Sequence, residues 1–308
     1  RRAGFVPRLR WPRFDAEVQR FWILAIPAVI AGGITQVNIF VGTIIASSAD
    51  SAIAYLYYAD RLYQLPLGII GIAIGTVLLP ELSRHLKGGR DKEADQSQNQ
   101  ALLISMLLSM PAATALIALA TPIVAVLFQR GAFTATDTYE TAQTMIWFSA
   151  GLPAYVLIRV LQPGFFARED TRTPTVFAGI SVLINIALSL LLFPTFKHVG
   201  IAIATSVAAW ANAVLLAIWL GRRGHFRLPG EDWRRHALIV AAAIVMALVL
   251  WGLAIPLAPY LSPRAPLLAQ LVALGALCAF GLALYFALIH VSGAQPMGML
   301  LKRLRRGG

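Results

Sequence analysis

A single cysteine, Cys278, is all that this 308-residue chain contains, so it forms no intrachain disulfide and offers no thiol pair for redox work. Acidic residues are also scarce, 14 Asp and Glu against 26 Lys and Arg. The five histidines, His85, His198, His225, His236 and His290, are scattered at the ends of apolar runs. No HExxH, P-loop or GxSxG pattern occurs, and no Cys/His spacing gathers a metal. A polytopic lipid-modifying enzyme needs clustered carboxylates or a nucleophile beside a base, and the sequence supplies neither. These absences argue against catalysis, a resident metal and a cofactor.

What is present in quantity is apolar surface. Hydrophobic residues make up 58% of the chain and charged ones 13%, and many apolar runs approach the ~20 residues needed to cross a bilayer. The predicted fold class is all-α, a polytopic membrane protein of eight transmembrane helices. The predicted spans are Phe21 to Ala46, Ala52 to Leu82, Asn99 to Phe128 and Asp137 to Phe166, then Thr173 to Phe193, Gly200 to Leu220, Trp233 to Ile255 and Pro266 to His290. Residues 1–20 read as a basic loop and 21–221 as a six-span lobe. Residues 222–308 read as a loop, two further spans and a basic tail. The opening RRAGFVPRLRWPRFDAEVQR enters the first span directly and resembles an inter-helix loop, so the chain is expected to be the C-terminal part of a longer protein.

The net charge of +12 raises nucleic acid as a partner, but the placement of the bases argues for topology instead. Clusters precede the first span (Arg1 to Arg20) and follow the second (Arg84 to Lys92), the fourth (Arg168, Arg172), the sixth (Arg222 to Arg235) and the last (Lys302 to Arg306). Together they hold 21 of the 26 basic residues, whereas the alternate loops hold Arg130, Lys197 and Arg264. The positive-inside rule then makes both termini cytoplasmic, with anionic headgroups as the accompanying attraction.

Arg61 and Arg159 are the two bases left inside spans. Arg61 lies in YLYYADRLYQLPLGIIGIAIGTVLLPELS (Tyr55 to Ser83), next to Asp60. Charge at that depth is costly and usually functional. At helical spacing Tyr57, Arg61 and Gln64 share a face, and Gly68, Gly71 and Gly75 continue it as a smooth stripe where another helix can approach. Pro66 predicts a kink just after the charged pair. In RGAFTATDT, Gly131 permits a turn, and Asp137 is expected to cap the next helix with Glu140 as its capping-box partner. Pro163-Gly164 and the run Arg168, Glu169, Asp170, Arg172 predict a kinked helix end and a turn.

Three runs together, Tyr55 to Ser83, LFQRGAFTATDT (127 to 138) and VLQPGFFAREDTRTP (160 to 174), resemble the MurJ/MviN lipid II flippases of the MOP exporter superfamily. The resemblance holds in order across most of the chain. It implies a fourteen-helix protein of two six-helix lobes around a cavity plus two C-terminal helices, of which the eight spans here match the last eight. It also implies transport of lipid II, undecaprenyl-pyrophosphate carrying a disaccharide-pentapeptide, across the bacterial inner membrane by alternating access. The expected partners are then lipid II, membrane lipids and the missing N-terminal lobe, with no nucleic acid. In the family the last two helices extend the cavity into a groove for the polyprenyl tail.

Arg61 stands at the position of a cavity arginine of that family. A guanidinium is well shaped to hold pyrophosphate oxygens through paired charge-assisted hydrogen bonds. Asp60, Tyr57, Gln64 and Arg159 complete the expected substrate-binding set. Two alternatives stand: Arg61 pairing with Asp60 or capping a broken helix, and Arg159 snorkelling about 10 Å to the interface. Asn185, Ser189 and Thr205 match a cation site reported in the family, which makes Na+, or otherwise the membrane potential, the driving force to consider. The pattern departs where Gly42 and Ser189 stand for polar or acidic ligands, and interhelical hydrogen bonding is the competing reading. Another MOP exporter and a non-transport scaffold for cell-wall enzymes are the alternative functions.

Overall fold

Away from water a backbone must satisfy its own hydrogen bonds, so apolar runs of membrane length fold as helices. The computed structural model describes residues 38–226 and 230–293, with Val18, Gln19, Gly33 and Gln36 before them, and these residues contain helix and no strand. Residues 38–46 are helical, and apart from Val18, Gln19, Gly33 and Gln36 the basic first loop and the rest of the expected span from Phe21 lie outside the described residues, as does the basic tail from residue 294. Then follow α1 (Ala52–Lys87), α2 (Asp91–Ala118), α3 (Ala120–Phe128), α4 (Ala135–Phe166), α5 (Arg172–Arg222), α6 (Gly230–Ala254), the single turn α7 (Ala258–Leu261) and α8 (Leu267–Val291).

Among the described residues six helices are long and apolar enough to cross a membrane, against the eight spans expected. One of them, α5, merges two of the expected spans. Its backbone leaves helical geometry at Lys197, with φ 49° and ψ −132°. Ser181 Oγ donates to the Ala208 carbonyl at 2.8 Å, Asn185 Nδ2 to Thr205 Oγ1 at 3.1 Å, and Gly200 lies against the backbone of Leu192. These pairs step inward toward Lys197, so α5 is an antiparallel hairpin of two arms. The span expected from Asn99 to Phe128 is also divided, because the helix breaks at Leu119 between α2 and α3. By contrast α1 stays helical through Pro66 and Pro80.

Helix α4 is the centre. It packs against α1, α2, α3 and α5, while α6 lies on α2 and α8 on α6. In the most apolar stretch of α4 61% of residues are buried, against 11% in that of α5; the buried residues of α5 concentrate in its second arm, which packs on α4, and the first arm lies at the periphery. Because lipid tails are as apolar as leucine, helices in a membrane associate through close packing at small residues more than through hydrophobicity. Gly151 of α4 sits on Ser206 of α5, Gly164 of α4 on Gln98 of α2, and Gly281 of α8 on Leu250 of α6, each too close to admit a Cβ without movement. Tyr285 of α8, fully buried, donates from its hydroxyl to the Leu107 carbonyl of α2 at 2.9 Å. Around these contacts run Leu62, Ile70, Leu103, Leu107, Met145, Leu152 and Val160 as one continuous core.

The two ends of the bundle differ in chemistry. The basic end gathers the last turn of α1, with Arg84 and Lys87, and the loop between α4 and α5. There Arg168 lies 3.6 Å from Asp95 and donates to the Gly164 carbonyl, while Arg223 donates to Asp170 at 2.7 Å. The opposite end brings together the start of α1, the start of α4 and the turn of the α5 hairpin.

Candidate functional site

The polar face of α1 forms as its spacing predicts. Tyr57, Arg61 and Gln64 are all exposed on it, and Asp60 is partly buried beside them. The adjacent charges do not pair with each other. Gln64 Nε2 donates to Asp60 Oδ2 one turn away, and the Arg61 guanidinium stands 4.7 Å over the Tyr57 ring. A guanidinium held by a ring quadrupole keeps its five N–H donors available. Arg61 has no carboxylate partner among the described residues.

Arg159 is exposed on α4 and reaches the same face of α1 from the neighbouring helix. A Cβ at Gly71 would stand 2.6 Å from Arg159 Cδ and 2.7 Å from Nη1, so the side chain lies flat across the glycine. Among the described residues the glycine stripe is not filled by another helix. Gly68 and Gly75 have nothing within 4 Å of where a Cβ would be, and Gly71 seats a side chain. Sequence reasoning placed Arg159 and Gly71 separately, and no spacing rule connects a residue of α4 to one of α1. Below this face Tyr63 stacks on Phe148 at 5.3 Å and meets Tyr155 at 6.2 Å, tying α1 to α4.

Asn185, Ser189 and Thr205 do come together. Ser189 Oγ donates to Asn185 Oδ1 at 3.1 Å, Asn185 Nδ2 to Thr205 Oγ1 at 3.1 Å, and Thr205 Oγ1 to the Ile201 carbonyl at 2.8 Å. This relay uses the three side chains on one another and closes the two arms of the hairpin.

At the opposite end the cap of α4 differs from expectation. Thr134, not Asp137, is the N-cap: its hydroxyl accepts the Asp137 amide at 3.2 Å while Asp137 accepts the Thr134 amide at 2.7 Å. The reciprocal bond needs an acid three residues after a hydroxyl, and Thr134-Asp137 satisfies this one turn earlier than Asp137-Glu140. Gly131 adopts φ 62°, as a turn there requires. Asp137 also accepts the Tyr55 hydroxyl at 2.8 Å, 82 residues away in sequence. Glu140 instead faces the buried His198 at 3.2 Å, close enough for an ion pair though not aligned as a hydrogen bond. The Tyr55 and His198 rings are 4.9 Å apart. This clamp joins α1, α4 and the α5 turn and borders a pocket of about 450 Å³ that includes Tyr58, Arg130 and Phe133. No pattern in the sequence points to it, because His198 lies beside a turn with no patterned neighbours.

The described helices share the fold of solved MOP-superfamily membrane transporters. An outward-facing multidrug-resistance MATE family transporter of that superfamily superposes with a TM-score of 0.58 at 15% identity, covering 87% of this chain and 63% of that one. The inward closed conformation of the lipid II flippase MurJ matches with a TM-score of 0.69 at 26% identity, over 89% of this chain and 56% of that one. The chain belongs to the MurJ lipid II flippase family, whose profile matches residues 1–268. A probable lipid II flippase MurJ from Rhizobium tropici is 46% identical over 306 residues, covering 99% of this chain and 57% of that protein. One from Vibrio cholerae is 35% identical over 300 residues, covering 96% of this chain and 56% of the relative. The chain thus spans about half the length of the curated relatives it matches.

Proposed function

We propose that this chain is the second lobe and C-terminal helix pair of a transporter that moves lipid II from the cytoplasmic to the periplasmic leaflet of the bacterial inner membrane. It acts with a first six-helix lobe by alternating access, both termini of the chain lie in the cytoplasm, and no covalent chemistry is involved. The observation that carries this reading is Arg61: an exposed guanidinium within a membrane-crossing helix, held over Tyr57 and unpaired with Asp60. A membrane-embedded arginine that no carboxylate pairs with fits an anionic cargo. Pyrophosphate offers the oxygen geometry that a guanidinium holds best. In this reading Asp60 and Gln64 brace each other, Tyr57 orients Arg61, and Arg159 supplies further positive charge. The Asn185–Ser189–Thr205 relay fastens the hairpin, since its oxygens already serve one another, so the membrane potential is the simpler driving force than Na+ at that site.

The test is complementation of cells that depend on the full-length protein, at matched membrane abundance, scored by lipid II reaching the periplasmic face. Arg61→Ala removes charge and donors and is expected to abolish transport. Arg61→Lys keeps the charge without the planar fork and is expected to retain a fraction of it. Normal transport by the Asp60→Asn, Arg61→Gln double variant would remove Arg61 from the substrate site.

A further inference from the structure

Two guanidiniums share one stripe of α1, and they lie at different depths. The positions Tyr57, Arg61, Gln64, Gly68, Gly71 and Gly75 recur at three- and four-residue steps, so they form one line along the helix. Arg61 belongs to that line and leans back toward Tyr57, away from the basic end. Arg159 crosses onto it at Gly71, ten residues further on, which at 1.5 Å per residue is roughly 15 Å closer to the basic end. Like Arg61, Arg159 has no ion-pair or hydrogen-bond partner among the described residues, and it remains exposed although it lies in a membrane-crossing helix.

A charged side chain in such a helix without a counter-ion is expensive unless something anionic visits it. Hydrogen bonds from a guanidinium to a phosphate oxygen are about 2.7–2.9 Å long. A single diphosphate is far too short to span the separation between the two groups. We infer that Arg159, seated by Gly71, is a second and separate station for the diphosphate of the cargo, nearer the basic end than the station at Arg61. This rests on the transport reading above and adds a sequence to it: the anion meets Arg159 first when loading from the basic side and passes to Arg61 as the lobes rock. Gly71 is a positioning residue. Any Cβ there occupies the slot, and because the displaced group is the far end of a flexible side chain, the fold can accept the change while the guanidinium is moved off the stripe.

The experiment uses the full-length protein, otherwise cysteine-free and with Cys278→Ser, reconstituted in nanodiscs. A reporter cysteine is placed at Gly75→Cys, one turn beyond Gly71, or at Ala54→Cys, one turn beyond Tyr57. The rate of reaction with the anionic thiol reagent sulfonatoethyl methanethiosulfonate is measured against increasing inorganic pyrophosphate. Pyrophosphate is expected to protect both positions. Arg159→Gln and Gly71→Ala should each raise the concentration for half-protection at Gly75→Cys about tenfold or more, the loss expected for hydrogen bonds to a charged group, and leave Ala54→Cys unchanged. Arg61→Gln should do the reverse, and Arg159→Lys should restore part of the protection at Gly75→Cys. A purely structural role for Gly71 predicts no such position-specific effect. If either single variant abolishes protection at both positions, there is one site and the separate station is wrong. Protection at Ala54→Cys alone would refute the Arg159 station and leave the Arg61 reading standing, whereas protection at neither would overturn both.

Discussion

Asp170, outside the apolar spans, illustrates how much a single side chain holds at the basic end. It accepts the Thr173 amide at 3.0 Å, the Thr173 hydroxyl at 2.7 Å and an Arg223 N–H at 2.7 Å, so it joins both ends of the α5 hairpin to the end of α4. Burial works to raise its pKa, but the hydrogen bonds from Thr173 and the Arg223 charge outweigh it and hold the carboxyl below its ordinary value. A depressed pKa in the folded state gives stability that is fully present above the unfolded value near ~4 and is lost as pH falls through the folded one. Asp170→Ala is expected to cost about 1–3 kcal/mol, read as a lower melting temperature in detergent at pH 7. The melting gap between wild type and Asp170→Asn should be constant above about pH 5 and shrink below about pH 4. A gap that persists unchanged at low pH would mean that the carboxylate charge is not what holds the hairpin.

At the scale of the element, the α5 hairpin concentrates its strain in one residue. Lys197 carries φ 49° with ψ −132°, a conformation that a side chain with a Cβ rarely adopts and glycine tolerates. The neighbours over-determine it: Gly200 packs on Leu192, the Asn185–Thr205 bond ties the arms, and His198 is buried against Tyr55 and Glu140. Strain of this kind costs about 1–3 kcal/mol. Lys197→Gly is therefore expected to stabilise the protein by about 1 kcal/mol, while Lys197→Ala, which keeps the Cβ, brings no such gain. Thermal unfolding of the two variants side by side decides it, and equal melting temperatures would remove the strain argument.

At the scale of the whole molecule, the two ends differ in chemistry, and the proposed membrane orientation rests on that difference. Arg84, Lys87, Arg90, Arg168 and Arg172 lie at one end, whereas the other has Tyr55, Asp137, Glu140 and His198 drawn together. The proposed orientation, by the positive-inside rule, puts the basic end in the cytoplasm. Cysteines introduced at Ser48→Cys and Arg90→Cys in cells should react with a membrane-impermeant maleimide from opposite sides, Ser48→Cys from the periplasm. Labelling of both from one side would overturn the assigned topology and with it the direction of loading.

The hydropathy of the chain alone pointed to helices throughout the described residues, to where most of the apolar ones run, and to which residues share a face of α1. These features depend on neighbours three or four residues apart and on the solvent a segment prefers, and a linear sequence states both. The ordered runs from Tyr55 to Ser83, 127 to 138 and 160 to 174 were also enough to point to the family. Tertiary structure decided the rest. That Asp60 turns to Gln64 and Arg61 to Tyr57, that Thr134 caps α4, and that α5 closes as a hairpin at Lys197 are choices among local options of similar energy, settled by what packs nearby. The meeting of Arg159 with Gly71, and of Tyr55 with Asp137 and His198, joins residues far apart in the chain. In spans that are apolar on nearly every side, hydropathy does not say which helices touch, and a long arginine can reach more than one neighbour. Only the packed bundle, with a glycine where the guanidinium lands, fixes where that charge resides.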